Sequence, residues 1–275
     1  MSQSFTRLLP ELQATVSACI ETALVLHATT MPQIRRVMAG DAVIEDYVRA
    51  LGFGDRLVPW QHLGRDDGPD PDLILAHEIA GGTSLCPTWL PTRYQPRLSM
   101  VQGARSASDV QDNLKRIARI LGNTMGEMVP AQRFRETFEG LRARLHVPGP
   151  RVLVLVETGR GRYRLTAPDH PCHSMFAQLG WISAPSERVA GEKLSVRTLS
   201  MVEHDAVLIL EAWTGEEGES ALARHWPLML SPAAETERWA RLPMLELMCF
   251  GPSLPDRLAD LATRFQALKP DTWDS

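Results

Sequence analysis

The sequence predicts an α/β protein of two Rossmann-like lobes joined by one long helix. Three observations carry that expectation: short apolar runs alternating with helical periodicities, a long charged helix near the middle, and the same plan repeated after it. At 275 residues the chain exceeds the roughly 100–200 residues of a usual domain, so two lobes are the natural division. The expected boundaries are an N-terminal extension over 1–33, a first lobe over 34–121, an interlobe helix over 122–149 and a second lobe over 150–275.

The elements follow in order. Residues 34–38 form a short β-type run, and Ala39-Gly40-Asp41 turns the chain into a helix whose apolar positions are Val43, Ile44, Tyr47, Val48 and Leu51. Gly52 stops it. Leu73 to Ala76 is a buried-strand run after Pro71, and Leu98 to Val101 is a second. Ser106 caps a helix that runs to Leu121, with Gly122 placed to end it. Residues 124–146 make the long charged helix, with Met128, Phe134, Phe138, Leu141 and Leu145 on one side and Pro148-Gly149-Pro150 as its stop. RVLVLVE at 151–157 is the clearest buried strand. A polar loop, a helix near Ser174 to Leu179 and a strand at 206–213 complete the second lobe, and residues 215–219 are an acidic surface loop.

Composition excludes several classes. Hydrophobic residues at 44% and charged residues at 23% are ordinary globular values, against disorder and coiled coil. A net charge of −4 without a basic stripe argues against nucleic acid. Cys19, Cys86, Cys172 and Cys249 are too scattered for a zinc finger or a dense disulfide framework. Apolar stretches break at Glu or Arg well short of the roughly 20 residues of a membrane span. As an export signal the N-terminus is poor, with Arg7 its one positive charge and Glu11 and Glu21 interrupting the apolar stretch. Val16-Ser17-Ala18-Cys19 has the look of a lipoprotein cleavage box, but an amphipathic helix is the expectation there. The common nucleotide, zinc-protease and serine-hydrolase motifs are missing, so a non-enzyme is expected.

Four stretches in order carry a resemblance. RRVMAGDAVIEDYVRALGFGDRLV (35–58), PDLILAHEIAGG (71–82), RVLVLVE (151–157) and MCFGPSLPDRLADLA (248–262) resemble the substrate-binding proteins of haem, iron-chelate and cobalamin uptake, the haem-binding branch most of all. The resemblance implies the class III periplasmic-binding-protein fold, a haem or ferric chelate as ligand, a periplasmic location and an ABC permease as partner. The sequence also departs from that pattern. Residues 59–70 are shorter than usual and lack both the iron-ligating tyrosine and the permease-docking glutamate. The second docking position is Arg197, and Ser253 replaces the arginine of the closing turn. Work without the usual permease is therefore expected, and with the poor export signal a cytoplasmic location is the alternative.

In open α/β sheets ligands bind beyond the carboxyl ends of the strands. The loops expected there hold His62, His77, Glu78, Arg105, Tyr163, His170, His173, Trp213 and Phe250. His170 and His173, three apart around Pro171, are candidate metal ligands; alternatively one of them caps a helix. Tyr163 between Arg162 and Arg164 could be a low-pKa phenolate for ferric iron, its arginines pairing with ligand carboxylates, or part of a solvated hairpin. Arg105, Trp213 and His77 complete the expected ligand contacts, although His77 at a strand end also suits a hydrogen-bonded wall. Trp60 and Trp89 could add a flat apolar wall. Two alternatives to a binding protein are an intracellular chelatase-like enzyme using Glu78 or Glu157 beside a histidine, and a non-binding relative serving protein association.

Overall fold

The computed structural model describes residues 34–59, 70–79, 83–84, 90–123, 128–159, 162–167, 169–184, 195, 199, 202–211 and 231–268. The N-terminal extension, Trp60, His62, Trp89, Arg197, Trp213 and the acidic loop at 215–219 lie outside them.

The first sheet grows from β1 (Val37–Ala39), after which the chain turns into α1 (Ala42–Ala50). Asp41 caps α1, accepting the Ile44 amide at 2.9 Å from an extended backbone. Gly52 ends the helix at φ +83°, in the left-handed region that glycine enters without a Cβ clash. β1, β2 (Leu57–Val58), β3 (Leu73–Ile79) and β5 (Leu98–Gln102) run parallel, and β4 (Thr83–Ser84) pairs antiparallel with the end of β3. α2 (Ala107–Ile120) starts at Ser106, whose hydroxyl accepts the Asp109 amide at 3.2 Å. Val110, Leu114, Ile117 and Ala118 face inward at helical spacing.

α3 (Met128–Arg144) leads to the second sheet, burying Ala131, Phe134, Phe138 and Leu141 against α2 and the last helix. β6 (Arg151–Gly159) is the centre of that sheet. β9 (Ala206–Glu211) and β10 (Trp239–Pro243) extend it in parallel on one side; on the other β7 (Arg162–Leu165) pairs antiparallel and β8 (Ile182–Ser183) parallel. α4 (Pro171–Gln178) lies between β7 and β8 in the chain, and α5 (Pro232–Glu235), α6 (Met244–Met248) and α7 (Leu254–Arg264) follow. β6 is buried on both faces: Val152 and Val154 join the main core, Leu153 and Leu155 a second cluster.

Two local expectations change. Residues 162–165 form a strand rather than a loop, because the alternation of exposed Arg162 and Arg164 with buried Tyr163 and Leu165 is itself a strand pattern. α4 begins at Pro171, three residues before the expected start, since proline suits the first helical turn where no amide donor is needed.

The sheets are separate, but the main apolar core is continuous. One cluster runs from Val37 and Ile44 through Phe134 and Phe176 to Phe250 and Phe265. Hydrogen bonds reinforce it where Cys249–Ser253 crosses to the first half. The buried Tyr47 hydroxyl donates to the Phe250 carbonyl at 2.7 Å, the Phe250 amide to the Ala104 carbonyl at 3.0 Å, and the Ser253 amide to Asp46 Oδ2 at 2.7 Å. Gly251 permits this approach, because a Cβ there would stand 2.8 Å from Asp46 Oδ2.

Candidate functional site

The carboxyl ends of the first sheet's strands meet the second half along this seam. Asp41 follows β1, His77 and Glu78 end β3, and Arg105 follows β5. Across from them lies the start of α4, where the Ser174 hydroxyl, shared with the Pro171 carbonyl, reaches the Arg105 carbonyl at 3.2 Å. Arg105 itself is exposed.

On β7 the alternation of a strand sorts the expected cluster into two faces. Arg162 and Arg164 are exposed on one, and Thr166 falls on that side two residues further on, about 7 Å along the strand. Thr166 Oγ1 lies 3.0 Å from His173 Nε2. The arginine face therefore leads to the start of α4. His170 is the N-cap of α4, its Nδ1 accepting the Cys172 amide at 3.3 Å. The rings of His170 and His173 stand 6.2 Å apart and nearly perpendicular. His170 Nε2 and His173 Nδ1 are enclosed, with no hydrogen-bond partner among the described residues.

Burial pushes the His170 imidazole down to about 4, and burial lowers His173 as well. Both rings are neutral at neutral pH. The Cys172 thiol beside His170 is pushed up to about 12 by burial, so it stays protonated and is no thiolate ligand. The histidine shifts set a pH profile. Unfolded imidazoles titrate near 6.5, so as pH falls the unfolded chain takes up protons before the folded one does. Stability should be intact above about pH 6.5 and decline toward pH 4. Urea denaturation across that range checks this, with His170→Gln expected to flatten the slope.

Comparison with known proteins bears on the fold. No family model and no curated protein matches the chain. Solved structures do. A periplasmic haem-binding protein from Pseudomonas aeruginosa superposes with a TM-score of 0.66 at 19% identity, over 86% of this chain and 95% of that one. The periplasmic haem-binding protein RhuT from Roseiflexus sp. RS-1, in its apo form, gives 0.66 at 20% identity, over 84% and 98%. The siderophore-binding protein BauB, bound to two acinetobactin molecules and ferric iron, gives 0.63 at 14% identity, over 87% and 95%. The chain has the periplasmic-binding-protein fold. Its two sheets with a single long helix between them are the class III form that the sequence implied.

Within this fold two expected contacts turn inward. Tyr163 is buried among Leu153, Leu155 and Leu165, and its phenol is pushed up by burial and by Glu157, with Arg241 opposing. The expected lowering by Arg162 and Arg164 fails because strand alternation turns both away from it. His77 is fully buried on the Leu73 and Leu75 face of β3, under α1, with Nδ1 2.8 Å from Asp41 Oδ2. It lies in the wall between α1 and the first sheet, held by Asp41.

A charged group at the edge of the second sheet was not expected. Glu157 and Glu211, neighbours in register at the ends of β6 and β9, share Arg241 of β10, which donates to Glu157 Oε2 at 2.7 Å and pairs with Glu211. Each glutamate closes an apolar strand, which was the available signal. Arg241 sits on a strand whose pattern, WARLP, has no clean alternation of burial. Among the described residues no group of three His, Cys, Asp or Glu side chains could hold a bare metal ion, and no helix is long and apolar enough to cross a membrane.

Proposed function

We propose that the protein binds a haem-like tetrapyrrole or ferric chelate at the seam between its halves, without converting it, as a periplasmic component of iron or haem uptake. The observation that carries this reading is the pair of neutral imidazoles at the start of α4, with the Arg105 backbone across the seam and with Arg162 and Arg164 exposed on the face of β7 that leads toward it. Haem and many siderophores present carboxylates, which guanidinium groups pair with well. His170 accepts the helix cap through Nδ1, so its proton sits on Nε2 and can be offered to an anionic group. His173, with Nε2 on Thr166, keeps Nδ1 as an iron donor that a ligand reaches when the side chains enclosing it part. Enclosing a polar nitrogen without a partner costs about 1–3 kcal/mol, which coordination on that opening would offset. One imidazole supplies one donor, so iron held here arrives with most of its ligands in its own chelate, as cargo.

Absorption titration tests the proposal. Haemin should give a Soret band that His173→Ala shifts or abolishes, or a ferric siderophore should bind with Arg-dependent affinity. Saturable binding of neither, with the protein shown folded by circular dichroism, would reject the reading.

A further inference from the structure

Thr166 is 4% exposed and follows β7 directly. Its amide donates to the Val154 carbonyl of β6 at 3.1 Å, which carries the β6–β7 pairing one residue further. Its hydroxyl has two neighbours, that same carbonyl at 3.3 Å and His173 Nε2 at 3.0 Å. Threonine is branched at Cβ, so few rotamers are open to it and the hydroxyl is held between the two.

The direction of these bonds decides which nitrogen of His173 carries the proton. A carbonyl oxygen only accepts, and a hydroxyl has one proton to give. With that proton on Val154, the hydroxyl lone pair takes the proton of Nε2, both contacts are hydrogen bonds, and Nδ1 keeps its lone pair. With the hydroxyl turned to Nε2 instead, two acceptor oxygens face each other at 3.3 Å and the ring proton sits on Nδ1, enclosed there without an acceptor. Nδ1 lacks a partner in either case, so the arrangement with two hydrogen bonds prevails over the one with a single bond. Burial disfavours a second proton on the ring, and the Ala167 carbonyl, which favours one, makes no aligned hydrogen bond to Nδ1.

We infer that Thr166 is the positioning residue of the α4 site: its hydroxyl, turned by the Val154 carbonyl, fixes the His173 proton on Nε2 and reserves the Nδ1 lone pair for a metal. Metal-binding histidines ordinarily have their other ring nitrogen held in this way, which sets both tautomer and ring orientation. The tautomer stands on the geometry alone; its use by iron rests on the function proposed above.

Long-range proton–nitrogen correlation spectra of the ligand-free, isotope-labelled full-length protein read the tautomer directly. His173 should carry its proton on Nε2. Thr166→Val keeps the shape and removes the hydroxyl, so the single tautomer should give way to a mixture, and Thr166→Ser should restore it. His170, whose Nδ1 accepts the Cys172 amide, should stay protonated on Nε2 throughout. Haemin titration of the same variants reads the consequence. Affinity in Thr166→Val should fall by the factor by which the Nε2-protonated population of His173 falls, and Thr166→Ser should keep the parent value. A proton on Nδ1 in the parent, an Nε2 tautomer that survives in Thr166→Val, or haemin affinity unchanged once the tautomer is lost would overturn the inference. The first of these needs no variant to fold. Loss of the tautomer in Thr166→Val, with haemin bound by neither parent nor variant, would uphold the tautomer lock and reject the chelate reading instead.

Discussion

Replacing Asp41 with alanine is expected to destabilise the protein by about 2–4 kcal/mol, the loss of a helix cap together with the cost of leaving a buried polar partner unsatisfied. Asp41 serves two ends with two oxygens. Oδ1 accepts the first-turn amide of α1 from Ile44, and Oδ2 holds the fully buried His77 at 2.8 Å. Alanine removes the cap, worth about 1 kcal/mol, and leaves both His77 nitrogens enclosed without a partner. Asparagine should cost much less, since its amide oxygen can serve either the cap or the ring. Urea unfolding with an unchanged slope and a lower midpoint, Asp41→Ala well below Asp41→Asn, is the expected result. Equal midpoints for Asp41→Ala and the parent would show that the dyad contributes little to holding α1 on the sheet.

The second large effect is on binding. Reversing Arg162 and Arg164 together to glutamate should weaken a carboxylate-bearing haem or ferric chelate by about 30- to 100-fold, roughly 2–3 kcal/mol. An exposed ion pair is worth only about 0.2–1 kcal/mol, but reversal replaces two attractions with two repulsions. Both side chains are exposed, on the face of β7 opposite Tyr163 and Leu165, so the fold should not suffer. The loss should shrink as ionic strength rises, since screening acts within about 8 Å at physiological salt. Equilibrium titration at low and high salt reads both features. Full affinity in the double variant would place the ligand elsewhere.

The sequence was legible wherever one local rule governed. Asp41, Ser106, Gly52 and Gly122 mark helix ends through cap chemistry that needs no tertiary context, and all four act where expected. β6 was plain because a strand covered on both faces is apolar without interruption. Tyr163 was misread for lack of one fact, that 162–165 is a strand; strand alternation then separates a tyrosine from its flanking arginines. His170 and His173 were found as a pair, yet the role of His170 as cap follows from where α4 begins. Arg241 was invisible because its partners lie on two other strands, 84 residues away for Glu157. The docking positions at 60–69 and Arg197 lie outside the described residues, so the expected independence from a permease stays a sequence argument.

The most direct measurement is a crystal structure of the protein soaked with haemin or a ferric siderophore, with diffraction recorded at the iron absorption edge. An anomalous peak at the seam, beside His173 and with ligand carboxylates toward Arg105, Arg162 and Arg164, is the predicted result. A peak bound away from α4, or none in crystals grown at saturating chelate, would contradict it.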